Sequence, residues 1–191
     1  MSTPDSPSID LEFHVYDFDE PLPLPLYYQV MAFSRIVWGE NPDVNTADDN
    51  QVRSECNFVF ARDDLLIAHT ALLSITLDFN GESYRCGGLA GVMTYPAFRK
   101  RGYGRRLVTA ATDMILNSGD YDIGLLWTAD HNLPFYAHLG WENLPGLTTT
   151  YGDPPRAYAS ENRLMVFASD KGRAARDAFA SGTLHVGDKP W

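Results

Sequence analysis

The chain has 191 residues, which suits one domain (1–191) with a real core, since at this size roughly 70% of the unfolded surface can be buried without disulfides or bound metal. Asp and Glu number 25 against 15 Lys and Arg, for a formal net charge of −10, and this excludes a general DNA or RNA binder, whose affinity rests on many distributed phosphate contacts. No apolar run approaches the ~20 residues that cross a bilayer, and the start MSTPDSPSID has neither a basic nor an apolar leader region, so we expect no membrane partner. Cys56 and Cys86 fall inside apolar runs rather than at framework spacing, which points to a reducing, cytoplasmic setting.

Along the chain, IDLEFHVYDF (9–18) alternates Ile9, Leu11, Phe13 and Val15 with polar neighbours, the period of a half-buried strand. In PLPLPLYYQVMAFSRIVWG (21–39), Leu26, Val30, Phe33 and Val37 recur at helical spacing, with Pro25 in the first turn and Gly39 past the end. ENPDVNTADDN (40–50) is a polar loop carrying Asp43, Asp48 and Asp49. CNFVFA (56–61) and LLIAHTALLSITLDF (65–79) read as strands around a turn at Asp63 and Asp64. Asn80 and Gly81 then signal a tight hairpin into ESYRCGGLAGVMT (82–94), because both positions tolerate positive φ. Gly87, Gly88 and Gly91 inside that strand mark a bulge, a close approach by another chain or a ligand, or a tight bend over neighbouring core.

Pro96 ends the strand, and a helix begins near Gly104 with Leu107, Ala111, Met114 and Ile115 on one face and Gly119 as the C-terminal signal. IGLLWT (123–128) is a short strand, PFYAHLGW (134–141) a short helix ending at Gly140, and GLTTTY (146–151) and RLMVFA (163–168) further strands. DKGRAARDAFASG (170–182) has helical propensity, and TLHVGDKPW (183–191) follows it. Strands and helices in this order form an α/β fold in which helices cross between parallel strands.

FRKRGYGRRLV (98–108) raises a sharper question. Five of the fifteen basic residues, Arg99, Lys100, Arg101, Arg105 and Arg106, stand within eight positions of an acidic chain. Like charges so crowded repel unless an anion sits among them. Arg105 and Arg106 also occupy the first turn of a helix whose N-terminus is already positive. Free amides at a helix start, glycines that admit a close approach and flanking arginines together make a phosphate cradle. The pattern is neither a P-loop, for want of Gly-Lys-Ser/Thr, nor a dinucleotide fingerprint, since position 107 is leucine.

RKRGYG, placed between a glycine-containing strand and a helix, resembles the Arg/Gln-x-x-Gly-x-Gly/Ala signature of the GNAT superfamily of N-acetyltransferases. Arg99, Gly102 and Gly104 fill the three defined positions, and FYAHLGW resembles the family's Phe-Tyr-x-x-x-Gly-Phe/Trp segment one strand later. The resemblance implies a mixed α/β sheet of about seven strands and about four helices, with the fourth and fifth strands splayed. It implies acetyl-CoA as cosubstrate and no metal. The main-chain amides of Lys100, Arg101, Gly102, Tyr103, Gly104 and Arg105, flanked by Arg99 and Arg106, would then receive the pyrophosphate, and the main chain of Val92, Met93 and Thr94 the pantetheine arm. The Val92 amide becomes the oxyanion donor and Tyr136 the acid that protonates the leaving sulfur.

Many relatives carry a glutamate on the fourth strand as base, where this chain has GLAG (88–91). Glu82, His69, Asp130, His131 and the Trp191 carboxylate are alternative bases, and an amine of low pKa needs none. The ending GDKPW is similar to that of aminoglycoside 2'-N-acetyltransferases, although Ala90 stands where those enzymes carry an acid. An acidic rim of Asp43, Asp48, Asp49, Asp153 and Asp188 suits a small cationic amine as the acceptor. The rival reading is a non-catalytic acyl-CoA sensor or interaction module of the same fold. The aromatic-rich segment PLPLYYQVMAF (23–33) is either core or the interface of a homodimer.

Overall fold

A computed structural model of the chain describes residues 11–17, 19–39, 54–158, 162–188 and 191. Among these residues there are ten strands: β1 (Glu12–Tyr16), β2 (Ser54–Arg62), β3 (Leu65–Phe79), β4 (Glu82–Thr94), β5 (Ile123–Thr128), β6 (Glu142–Asn143), β7 (Thr148–Tyr151), β8 (Arg156–Ala157), β9 (Asn162–Phe167) and β10 (Thr183–His185). Five helices accompany them among the described residues: α1 (Leu24–Trp38), α2 (Tyr103–Asn117), α3 (Leu133–Ala137), α4 (Asp170–Ala174) and α5 (Arg176–Phe179). Seven strands form a mixed sheet in the order β1-β2-β3-β4-β5-β9-β6, and β10-β7-β8 form a small second sheet.

Asn80 (φ 52°) and Gly81 (φ 82°) both take the left-handed conformation, which closes β3 onto β4 with Phe79 opposite Glu82. β4 and β5 are parallel and therefore need a crossover, supplied by α2. The buried face of α2, with Leu107, Val108, Ala111 and Ile115 fully inaccessible, covers one side of the sheet over Phe58, Leu72, Leu89 and Leu126. Each such side chain contributes about 1.5–3 kcal/mol by leaving water. Gly87 and Gly124 lie directly opposite each other across β4 and β5, and a Cβ on either would come within 2.7 and 3.2 Å of the Ile115 side chain. This pair of missing side chains lets α2 sit close to the sheet. On the other face, α1 covers Val59, Leu66 and Met93, while Phe179 of α5 packs on Phe79 and Tyr84.

Several expectations need correction. Val37 is exposed on α1, and Met31 shares the buried stripe with Leu26 and Val30 instead. In β1 Phe13 and Val15 remain 41% and 38% exposed and Tyr16 is buried, because an edge strand under α1 is covered mainly from one side. The helical propensity of 170–182 is expressed as two short helices, after which the chain returns as β10, parallel to β7. Ile9 and the loop with Asp43, Asp48 and Asp49 lie outside the described residues.

Candidate active site

β4 and β5 run side by side for three residue pairs only: Cys86 with Ile123, Gly87 with Gly124, and Gly88 with Leu125. β4 then continues to Thr94 and β5 to Thr128 without pairing, so the two strands part as expected for the fourth and fifth strands. At the closed end Asp122 is a clasp. Its N–H donates to the Arg85 carbonyl (2.7 Å), its carboxylate accepts from the Arg85 N–H (2.9 Å) and the Ser169 hydroxyl (2.8 Å), and its carbonyl accepts from Ala168 N–H (2.9 Å). Burial pushes this carboxyl upward, but the hydrogen bonds from Arg85 and Ser169 and the nearby Arg85 guanidinium outweigh it and hold the group below the ordinary carboxylate range.

At the open end β4 is bulged. The register passes from Ala71 opposite Ala90 to His69 opposite Met93, so Gly91 and Val92 together face Thr70. Gly91 has φ 59°, a conformation that favours glycine at a bulge. Tyr95 N–H donates to the Ile67 carbonyl (2.8 Å). By the alternation of an antiparallel ladder, Met93 is then bonded to β3, and the N–H and C=O of Val92 and Thr94 face the gap. The Thr94 carbonyl accepts from Arg99 Nε–H at 3.1 Å, in keeping with that direction. The Met93 side chain is buried under α1, whereas Val92 packs in the same apolar cluster as Tyr103 and Tyr136.

The basic loop leads from this gap into α2. After a turn of 3-10 helix at Pro96–Phe98, Lys100 (φ 61°) and Gly102 (φ 85°) turn the chain into the helix. Gly102 is the N-cap and offers no side chain, and the first intrahelical bond is Arg106 N–H to the Gly102 carbonyl (3.0 Å). The amides of Tyr103, Gly104 and Arg105 therefore have no acceptor within the helix. Arg99, Lys100, Arg101, Arg105 and Arg106 are all exposed, and among the described residues none forms an ion pair. The Arg101 guanidinium lies over Phe98 (5.3 Å) and that of Arg106 over Phe60 (4.5 Å), and the Tyr103 ring makes tilted contacts with both phenylalanines. Stacking orients these cations and leaves N–H edges open to an anion.

Between α2 and α3, Arg105, Thr109, Pro134, Phe135, His138 and Leu139 line an open, mostly apolar groove of about 690 Å3. Tyr136 on α3 is buried in the cluster with Val108 and Leu126, and its carbonyl accepts from Leu139 and Trp141 N–H groups. Across the sheet, Trp127 extends from β5 beyond the last pair with β4. Its ring is 4.5 Å from that of Trp191 and 5.7 Å from that of Tyr158, and Arg163 stands opposite it on β9. Arg163 is engaged by Thr149 Oγ1 and the Tyr158 carbonyl. The Trp191 ring packs against Gly88, where a Cβ would be 2.6 Å from it. The three glycines of β4 thus serve separate ends: Gly87 admits α2, Gly88 admits Trp191, and Gly91 makes the bulge.

The alternative bases are scattered. Glu82 is at the far end of β4, paired with Lys171 at 3.3 Å, and Asp130 accepts from Asn162 Nδ2 at 2.7 Å. His131 is exposed on the turn before α3. His69 is sealed in the sheet, its Nδ1 3.2 Å from the Gly91 carbonyl and its Nε2 3.0 Å from Asn57 Oδ1; burial pushes it down to about 4. With both nitrogens engaged it has no free edge for an amine. The asparagine and histidine inside otherwise apolar strands were the only sequence signal of this pair. The loops carrying Asp153 and Asp188 are joined by a hydrogen bond from Gly152 N–H to the Gly187 carbonyl (2.8 Å).

Comparison with known proteins agrees with this geometry. The chain resembles a GNAT family N-acetyltransferase (YhbS) from Escherichia coli in complex with CoA, at 18% identity over 94% of this chain and 91% of that one, with a TM-score of 0.68. NAA60 from Arabidopsis thaliana, in complex with a bisubstrate analogue, matches at 14% identity over 84% and 100% of the two chains (TM-score 0.59). A GNAT family acetyltransferase from Brucella melitensis in complex with acetyl-CoA matches at 17% identity over 69% and 83% (TM-score 0.53). At these identities the likeness is one of fold. The family model described as an acetyltransferase (GNAT) domain matches residues 26–144, more than half of the sequence and including the bulged strand, the basic loop and Tyr136, so the chain belongs to the GNAT acetyltransferase family.

Proposed function

We propose that the protein moves an acetyl group from acetyl-CoA to the primary amine of a small, cationic molecule, by direct transfer with both substrates bound, and that residues 1–191 act as one transferase domain in the cytoplasm. The observation that carries the reading is the continuity of the gap between β4 and β5 with the unpaired cationic loop at the start of α2. The free amides of the loop and Tyr103, Gly104 and Arg105, with Arg99, Lys100, Arg101 and Arg106 around them, suit a diphosphate. The outward main chain of Val92 and Thr94 suits an amide-containing arm, and the groove between α2 and α3 has the size of a small-ligand site.

Acetyl-CoA supplies an acyl group activated as a thioester. In the reaction the amine lone pair forms the C–N bond as the C–S bond breaks. The Val92 N–H binds the developing oxyanion, the Tyr136 hydroxyl gives its proton to the departing sulfur, and the proton of the acylated amine passes to water, from which the Tyr136 phenolate recovers one. Tyrosine has an ordinary pKa near 10 and so carries a proton to donate at neutral pH. Trp127, Tyr158 and Trp191 offer ring faces to a cation on the far side of the sheet, and the loops of Asp153 and Asp188 add negative charge. Duplex DNA should not bind, because the chain as a whole is acidic.

The test is calorimetric titration with acetyl-CoA followed by a panel of aminoglycosides, polyamines, amino acids and peptides assayed for released coenzyme A. The expected outcome is saturable binding and acetylation of at least one cationic amine. Binding without any acetylated product would favour the sensor reading, and absence of binding would overturn both.

A further inference from the structure

The bulge in β4 is held from one side by side chains of β3. The Thr70 hydroxyl donates to the Ala90 carbonyl (2.9 Å), and His69 Nδ1 lies 3.2 Å from the Gly91 carbonyl. A carbonyl only accepts, so Nδ1 must carry the proton. A neutral ring then has a lone pair at Nε2 that needs a donor. The structure sets Asn57 Oδ1 3.0 Å from Nε2, and exchanging the oxygen and NH2 of that amide, which have the same shape, turns a donor to the ring and completes the pair. Both residues are buried, at 3% exposure for His69 and 8% for Asn57.

From this geometry we infer that His69, braced by Asn57, is a positioning residue for acyl transfer: it pins the Gly91 carbonyl against β3 and thereby aims the next amide, Val92 N–H, at the thioester oxygen. The inference rests on the function proposed above. Its physical reason is that Gly91 is in the left-handed region, where a glycine peptide has competing conformations of similar energy. An unpinned Gly91 peptide can rotate its carbonyl into the gap, which would set a lone pair against the oxyanion where a donor is required. Preorganised donors of this kind contribute strongly because they need no reorganisation during reaction. The pyrophosphate loop is built on other elements and does not depend on the pin.

The test compares wild type with His69→Leu, Asn57→Leu and His69→Gln, using acetyl-CoA labelled with 13C at the acetyl carbonyl. Calorimetry gives its affinity and NMR gives the carbonyl shift on the protein. In wild type the bound carbonyl moves downfield of free acetyl-CoA, as a donated hydrogen bond requires. In His69→Leu the affinity stays near the wild-type value, while the shift returns at least halfway to that of the free thioester and kcat falls about tenfold or more for any accepted amine. His69→Gln, whose amide can still donate to Gly91, recovers part of both. Should His69→Leu fail to fold, Asn57→Leu carries the same comparison, with a smaller loss of shift. A wild-type shift and kcat in the leucine variants would overturn the inference. Loss of one limb of the kcat pH profile in His69→Gln would also overturn it, by making His69 a base. If wild type itself does not bind acetyl-CoA, the failure lies with the proposed function instead.

Discussion

Replacing Gly88 by alanine tests how tightly Trp191 is fitted to the start of the gap. The added Cβ would stand 2.6, 2.7 and 2.9 Å from Cε2, Nε1 and Cζ2 of the indole, where ordinary contact is 3.4–4 Å, so the ring must retreat by about 1 Å. Trp191 is packed on Trp127, Ala71, Leu73 and Ala90, which leaves it little room to do so. Overpacking of this kind costs about 1–3 kcal/mol, a fall of roughly 4–8 °C in Tm at the middle of that range for a chain of this length. With Trp191→Ala the obstruction is gone, and an alanine in a strand interior is then better than glycine by roughly 0.5–1 kcal/mol. Gly88→Ala should therefore be destabilising alone and mildly stabilising in the Trp191→Ala background, a coupling of about 2 kcal/mol. Urea unfolding of the four proteins, followed by far-ultraviolet circular dichroism, measures it. Additivity of the two substitutions within about 0.5 kcal/mol would refute the packing argument.

Three further outcomes are expected. The unfolded chain takes up a proton at His69 near pH 6.5 and the folded one only near 4, so between these values acidification favours unfolding; about 3 kcal/mol of stability is lost over that window and not above it, and His69→Leu abolishes this component of the pH–stability curve. The Asp122 carboxyl is held below its ordinary value, so its contribution is present above about pH 4 and lost on further acidification; at neutral pH Asp122→Ala leaves the Arg85 N–H and Ser169 hydroxyl without their acceptor and should cost about 2–4 kcal/mol in thermal unfolding. Tyr136→Phe should lower turnover by about 100-fold or more while acetyl-CoA affinity holds, and unchanged turnover would remove the hydroxyl from the mechanism.

The order of elements was legible because each rests on a local signal: the Asn80–Gly81 hairpin on two residues that accept positive φ, α2 on an apolar stripe, and the basic loop on a cluster of cations around two glycines. The short strands β6, β8 and β10 were not, since two or three residues cannot display a period and their pairing is supplied by distant partners. The glycines of β4 gave one shared signal for three different causes, and only the neighbours Ile115, Trp191 and Thr70 separate them. His69 was visible as a titratable residue, but its role depends on Asn57 across one strand boundary and Gly91 across another, contacts that no spacing within β3 reveals. Likewise Asp122 reads as a turn residue beside a strand, and its clasp exists only because Arg85 and Ser169 arrive from far along the chain.

Because only three residue pairs join β4 to β5, the main sheet is two panels sharing a short seam, one from β1 to β4 and the other comprising β5, β9 and β6. A guest with amide groups lying along Val92 and Thr94 would act as a temporary extra strand, lending the panels the ladder bonds they lack. Occupancy should then stiffen the whole sheet against unfolding by an amount set by guest concentration over its dissociation constant, and slow the exchange of amide hydrogens on both panels together.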